Sequence, residues 1–349
     1  MTTFKGAVQR LGLIALTVMG MSTGKSFADE LNIYNWGEYI NPAVLQKFEE
    51  ETKIKVNLST YSSNEEMLAK IQGGASGYDI VFPSVHMQDI MAKLDLLAKT
   101  DINTYEGFKN IDPKFLRAKS DPKGEYCLPY AFGTVGILYN RRVLGKDVTG
   151  WKDLLATVKA KGLKITLLDD MREVLSVGLI LNGNSVNSTD PAQLQKAADT
   201  VIEMKPYVAA FTYDSRPMVG AGDVAAAHFF VGSMIDVFGN PKDLGYVIPE
   251  EGGTMYQEDM CVLKTSPNKD NAVKFMQFYT RPEIAALNVA QQTNGTPNVP
   301  ARQLTPDNIK NSKEINPTDD TMKRLQIFED LGSGVRQLDR VWTKVKTAQ

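Results

Sequence analysis

Residues 31–83, LNIYNWGEYINPAVLQKFEEETKIKVNLSTYSSNEEMLAKIQGGASGYDIVFP, decide the fold. Leu31–Asn35 is a short apolar strand. Asn41 is an N-cap residue, and Pro42 takes the first helical position, where its missing N–H costs nothing. Val44, Leu45 and Phe48 then fall on one helical face. Between Ile54 and Tyr61, the residues Ile54, Val56 and Leu58 alternate with polar ones, the period of a strand. Ser63 and Glu66 form a capping-box pattern ahead of Met67, Leu68 and Ile71, and Gly73-Gly74 ends that helix. Tyr78–Pro83 reads as a fully buried strand. This β-α-β-α-β order predicts a parallel sheet flanked by helices.

The same alternation returns further along. Leu163–Leu168 reads as a strand, Met171–Leu181 as a helix, and Asp190–Met204 as a helix with Pro191 at its start. Val224–Phe230 and Gly245–Ile248 read as strands. Residues 270–290 form a helical stretch broken at Arg281-Pro282, and 317–331 a further helix. The chain has 349 residues, 43% hydrophobic and 23% charged, a globular composition long enough for two cores at about 150 residues per domain. No Pro/Ser-rich linker separates the halves. The prediction is two α/β lobes joined by short ordered segments, with the cleft between them as the ligand site.

The 39 basic and 41 acidic residues give a net charge of −2, and the basic ones are scattered, which argues against a nucleic-acid partner. At the start, Lys5 and Arg10 precede the apolar run Leu11–Met21, and Ser26-Phe27-Ala28 supplies small residues at the two positions that define a cleavage site. Residues 1–28 therefore read as a cleavable export leader; the other reading is a buried N-terminal helix. The apolar run falls short of the roughly 20 residues of a membrane span. No cysteine neighbours the cleavage point, so no lipid anchor is expected. A chain beginning at Asp29 keeps 36 bases against 41 acids, a net −5. Cys127 and Cys261 are the only cysteines, too few for a disulfide scaffold. An oxidising compartment would let them bridge, but their spacing alone favours two small buried thiols.

His86 and His228 are the only histidines, and no HExxH or Cys/His cluster exists to hold zinc. GxSxG, P-loop and GxGxxG patterns are absent as well. Neither metal, cofactor nor catalytic machinery is predicted. What remains is a set of acids and rings at strand ends. Trp36-Gly37-Glu38-Tyr39 follows the first strand, and Ser84-Val85-His86 the third. Asp169-Asp170-Met171-Arg172-Glu173 opens a helix, and Tyr256-Gln257-Glu258-Asp259 precedes the apolar run Met260–Leu263. Each has a plainer reading. The first is a Trp and Tyr packed under a loop with Glu38 exposed, the second an ordinary turn. The third is a capping box of Asp170 with Glu173, and the last a solvated turn. Together they make a receptacle for an organic cation. Carboxylates pair with ammonium groups, and ring faces add cation–π contacts of about 0.5–2 kcal/mol each.

Several ordered motifs resemble the periplasmic polyamine-binding proteins of ABC importers, the spermidine/putrescine type. They are 34–39 (YNWGEY), 78–84 (YDIVFPS), 128–130 (LPY), 167–174 (LLDDMREV), 208–211 (VAAF), 249–253 (PEEGG), 296–298 (TPN) and the ending 339–346 (DRVWTKVK). The resemblance spans nearly the whole chain after residue 28. It implies a type II periplasmic binding protein: two lobes, each a mostly parallel sheet flanked by helices, joined by a strand hinge. One lobe holds 29–132 and 259–303, the other 133–258 and 304–349. It also implies a polyamine cage of Trp36, Glu38, Tyr39, Ser84, Asp170, Glu173, Phe230, Tyr256 and Glu258. His86 and Asn294 stand at two further cage positions, Asn294 where the family usually has Tyr. Phe230 replaces the usual Trp and Glu258 the usual Asp. The segments around Cys127 and Cys261 correspond to neighbouring hinge strands, which brings a bridge back as an alternative.

The implied partners are an inner-membrane ABC permease and its ATPase, served by a periplasmic monomer that needs no cofactor. The same cage would suit a polyamine-sensing partner of a membrane signalling protein, or a binder of another cationic amine. Asp170 with Glu173 follows the spermidine branch and the chain ending the putrescine branch, leaving ligand length open.

Overall fold

The computed structural model describes residues 29–74 and 77–348; the leader read at 1–28 lies outside them. Ten strands share one sheet: β1 Glu30–Trp36, β2 Lys55–Tyr61, β3 Ile80–Val81, β4 Cys127–Asn140, β5 Ile165–Leu167, β6 Val208–Phe211, β7 Ala226–Phe230, β8 Leu244–Val247, β9 Gly253–Val262 and β10 Leu325–Ile327. Their order is β2-β1-β3-β9-β4-β7-β5-β6, with β8 on β4 and β10 on β9.

The opening stretch folds as its periods dictate. β1 pairs parallel with both β2 and β3, and the helices Pro42–Thr52 and Asn64–Gln72 connect them. Asn41 caps the first helix by accepting from the Ala43 amide at 2.9 Å. Ser63 caps the second by accepting from the Glu66 amide, but Glu66 reaches back to Ser62 rather than to Ser63, so the capping box closes one residue early. Leu58 is 43% exposed, on the strand that forms the sheet edge.

Two long antiparallel strands tie the halves together. β3 pairs with Cys261 and Val262 at one end of β9, whereas β7 pairs with Val135–Tyr139 at the far end of β4. All fourteen residues of β4 are buried, a run of about 46 Å at the usual strand rise. One core surrounds Leu31, Ile33, Phe48, Leu128, Met260 and Phe275. A second surrounds Ile137, Trp151, Ile165, Val174, Leu194 and Ala226, and the final helix Val335–Thr347 closes it with Leu338, Val341 and Val345. The α/β class and the sheet with a strand crossover match the two-lobed type II expectation.

Three sequence readings are corrected. The helix expected over 317–331 is a single turn, Asp319–Met322, after which Leu325–Ile327 pairs parallel with Gly253–Met255 as β10. The chain leaves the helix where Arg324 turns to donate to the Pro249 and Glu250 carbonyls. Tyr256–Asp259 is not a turn before a strand but the interior of β9. Cys127 and Cys261, read from spacing as free thiols, are disulfide-bonded. The antiparallel register of β4 and β9 sets them directly opposite each other with Cα atoms 4.5 Å apart.

Candidate functional site

Parallel strands present their following loops at their C-terminal ends, and four of them do so here around one crevice. From β1 comes Trp36, whose indole donates to the Phe82 carbonyl at 2.8 Å and packs against Tyr61 with ring centroids 4.8 Å apart. The next turn holds Glu38 in the left-handed region at φ 55°, a conformation rare for residues other than glycine. Glu38 is exposed there, and its negative charge acts on Arg216 across the crevice. Tyr39 turns inward, and its hydroxyl donates to Glu258 Oε2 at 2.6 Å.

After β3, the Ser84 hydroxyl accepts from Asn64 Nδ2 at 2.5 Å, and its backbone bridges to Glu258. His86 meets the edge of Phe328 at 6.3 Å. Burial, with the Arg172 charge second, pulls its pKa down to about 4, so the imidazole is neutral at pH 7. After β5, Asp170 caps the helix Met171–Leu181 by accepting from the Glu173 amide at 2.9 Å. Glu173 does not reciprocate. Its carboxylate points away from the cap and accepts from Thr254 of β9 at 2.6 Å. Phe230 ends β7 and meets Tyr256 edge-on at 5.6 Å, and the Tyr256 hydroxyl donates to Asn294 Oδ1 at 2.9 Å.

Strand alternation explains why β9 dominates. Thr254, Tyr256 and Glu258 share one face and meet Glu173, Phe230 and Tyr39 respectively. Gln257 and Asp259 share the other, where Gln257 donates to Asp259 at 2.7 Å. Glu173 and Glu258 are only 5% and 6% exposed. Desolvation lifts both carboxyls to about pKa 8; Asp170 adds to the first, and the Tyr39 hydrogen bond offsets part of the second. Among the groups acting on Glu258 there is no cation. Buried acids without a counter-ion are expensive to keep charged, and an organic cation entering between them would remove that cost.

The structure therefore gathers Tyr39, Ser84, Glu173, Phe230, Tyr256, Glu258 and Asn294 along β9, with Trp36 held against Phe82 and Tyr61 at the end of β1. Asp170 and His86 stand at the margin of this group, and Glu38 sits outside on an exposed loop.

A family model for bacterial extracellular solute-binding proteins matches residues 43–317. The chain belongs to that family. This solute-binding protein is 33% identical over 346 residues to the spermidine/putrescine-binding periplasmic protein of Escherichia coli (strain K12), covering 97% of this chain and 98% of that one. It is 32% identical over 362 residues to the putrescine-binding periplasmic protein SpuD of Pseudomonas aeruginosa (strain UCBPP-PA14), covering 97% and 98%. The substrate-binding protein PotD of the Streptococcus pneumoniae spermidine/putrescine ABC transporter superposes with a TM-score of 0.82 at 35% identity, covering 92% of this chain and 99% of that one.

Three residues of this solute-binding protein escaped the sequence reading. Tyr61 backs Trp36, Thr254 holds Glu173, and Tyr213 lies parallel to Phe230. Thr254 and Tyr61 were recoverable from alternation along β9 and β2; Tyr213 carries no such signal.

The raised carboxyls give the ligand-free protein a defined pH response. Glu173 and Glu258 keep their protons up to about pH 8 when folded, and Asp259 to about 7, whereas unfolded carboxyls lose theirs near pH 4. At about pH 6.5 His86 and His228 are neutral when folded and about half protonated when unfolded, but the three acids hold more protons in the folded state, so unfolding free energy falls as pH rises from there to about 8. Thermal melts without ligand should show the melting temperature declining across that window. A flat or rising profile would contradict the burial of these acids.

Proposed function

We propose that this solute-binding protein captures a polyamine, spermidine or putrescine, in the crevice between two lobes and delivers it to an ABC permease. It acts by binding alone, as a periplasmic monomer exported on the leader at 1–28. The lobes comprise 29–132 with 259–303 and 133–258 with 304–349. The separate cores around Phe48 and around Val174 support that division, as does the crossing of β4 and β9 between them. The ligand contacts are Trp36, Tyr39, Ser84, Glu173, Phe230, Tyr256, Glu258 and Asn294, with Asp170, His86 and Glu38 at the rim.

One observation carries the reading: two buried carboxyls, Glu173 and Glu258, flank the Phe230 and Tyr256 rings, and desolvation outweighs the one opposing charge acting on them, that of Arg172 on Glu173. A flexible chain of ammonium groups and methylenes matches this pattern, because the charges meet the acids and the methylenes meet the rings. Closure and binding are coupled, since only the closed form lets acids on both sides reach one ligand. A thermal-shift panel of putrescine, cadaverine, spermidine and norspermidine tests it. At a hundredfold excess over Kd the preferred ligand should stabilise the protein by about 2.7 kcal/mol. No shift with any of the four at millimolar concentration would overturn the reading.

Closure has a salt-sensitive component. Lys93 meets Asp330 at 2.6 Å and Lys119 meets Glu329 at 2.8 Å, each pair crossing from the proposed first lobe to the second. The acids are set by Arg172 and Asn187, which hold the backbone at Glu329. Exposed pairs contribute about 0.2–1 kcal/mol each, so Lys93→Met, which removes one pair without adding repulsion, should weaken polyamine binding at most about fivefold at low ionic strength. Calorimetry at low and high salt should show the deficit shrinking as salt rises.

A further inference from the structure

Tyr213 stands in the turn between β6 and the helix Ser215–Ala221. Its ring lies parallel to that of Phe230, 2° from coplanar orientation with centroids 6.4 Å apart. With Phe230 meeting Tyr256 at 5.6 Å, three rings form a continuous wall from Asp170 to Asn294. Asn294 adds no ring at the far end; Tyr213 adds one at the near end.

Asp170 beside it has unused capacity. One carboxylate oxygen, Oδ1, is committed to the helix cap. The other accepts from the Tyr213 hydroxyl at 3.4 Å, well beyond the roughly 2.7–2.9 Å of a charge-assisted bond. Tyr213 sits in the negative field of this pair: burial, then Asp170 and Glu173, push its phenol pKa up. An electron-rich ring face next to an under-coordinated carboxylate is the chemistry that holds a primary ammonium. The ring is nonetheless 50% exposed and borders an open groove of about 660 Å³ that also includes Arg216, Phe229 and Asp236. Tyr213 therefore stands between this solvent-filled groove on one side and Phe230 and Asp170 on the other.

We infer that Tyr213 is a ligand-contacting residue that, with Asp170 and Phe230, forms the subsite for a terminal ammonium of the polyamine. This rests on the polyamine reading of the crevice and adds to it a contact and an end point. A ligand amine there lies against the Tyr213 ring face and donates to Asp170 Oδ2, and the chain runs inward past Phe230 to Glu173 and Glu258.

Isothermal calorimetry with putrescine and spermidine on the purified wild type, Tyr213→Ser and Tyr213→Phe tests the assignment. Tyr213→Ser should weaken the preferred ligand about five- to twentyfold through loss of the ring face. Tyr213→Phe should stay within about twofold, since the ring remains. Should the ligand-free Ser variant melt well below wild type, Tyr213→Leu, which keeps the packing on Phe230 without a π face, carries the same expected loss. Wild-type affinity in the Ser or Leu variant would remove Tyr213 from the site while leaving the polyamine reading intact. Equal losses in Phe and Ser would place the effect in the hydroxyl and overturn the ring-face assignment. Failure of the wild type to bind either polyamine would instead strike the functional reading itself.

Discussion

Removing the Cys127–Cys261 bridge is expected to destabilise the protein by about 2–5 kcal/mol, the usual cost of losing a native disulfide. The two cysteines are 134 residues apart in sequence, so the bridge closes a long loop in the unfolded chain and restricts it strongly. In the folded state it adds little distortion, because strand register already sets the pair opposite each other. The bridge also fixes the end of β4 against β9 next to β3, where Val81 pairs with Cys261. That end belongs to the core of Tyr34, Tyr61 and Met87, on the first-lobe side of the proposed crossing, and neither cysteine lines the candidate site. Stability should therefore fall while polyamine affinity holds. Urea unfolding of a Cys127→Ser/Cys261→Ser double variant measures the first and calorimetry the second. Thiol titration of denatured, unreduced protein should find no free thiol, and two would sink the argument.

The bridge shows where sequence reasoning reaches its limit. Helices and strands within residues 31–83 were legible because capping residues and apolar periods are local signals. The same holds for Met171–Leu181, whose bounds coincide with the expected ones. Strand register is not local. Nothing near Cys127 states that Cys261 lies opposite it, and only the family resemblance brought the pair together. β10 was misread for a related reason: Leu325–Ile327 becomes a strand by pairing with β9, more than sixty residues earlier in the chain. Tyr256–Asp259 looked like a turn because it is polar, yet it lies within a strand, where Tyr256 and Glu258 face the crevice and Gln257 donates to Asp259 behind it.

The acids of the crevice were legible as residue types but not as charges. Asp170 and Glu173 fit a capping box on sequence, and half of that box exists. The structure separates the two roles: Asp170 caps, and Glu173 is turned under Thr254 into a dry site. Tyr213 was invisible because a tyrosine in a Thr-Tyr-Asp-Ser turn resembles any surface loop, and its significance comes from Phe230 at the end of another strand. Glu38 shows the reverse case. Its place in the motif predicts a ligand contact, whereas the left-handed turn leaves it exposed within reach of Arg216.

Glu173→Gln is expected to weaken spermidine binding at least about tenfold, or 1.4 kcal/mol. The substitution keeps the volume and an oxygen able to accept from Thr254, so it isolates the charge. At pH 7 the ligand-free carboxyl is mostly protonated, because desolvation lifts its pKa to about 8. A neighbouring ammonium favours the ionised form, so binding must expel the proton. Glu258, lifted to about 8 by the same cause, behaves alike. Affinity should therefore rise with pH from about 6.5 to 7.5, well below the roughly 10 at which an isolated alkylammonium is half deprotonated. Calorimetry at pH 7 in buffers of different ionisation enthalpy should report on the order of one to two protons released per ligand, and Glu173→Gln about one fewer. A buffer-independent enthalpy, together with unchanged affinity in the variant, would mean that neither acid meets the ligand. If the proton count falls as expected, the destabilised acids of the empty crevice and the stabilised ion pairs of the filled one are the same groups, and charge burial is what couples closure to capture.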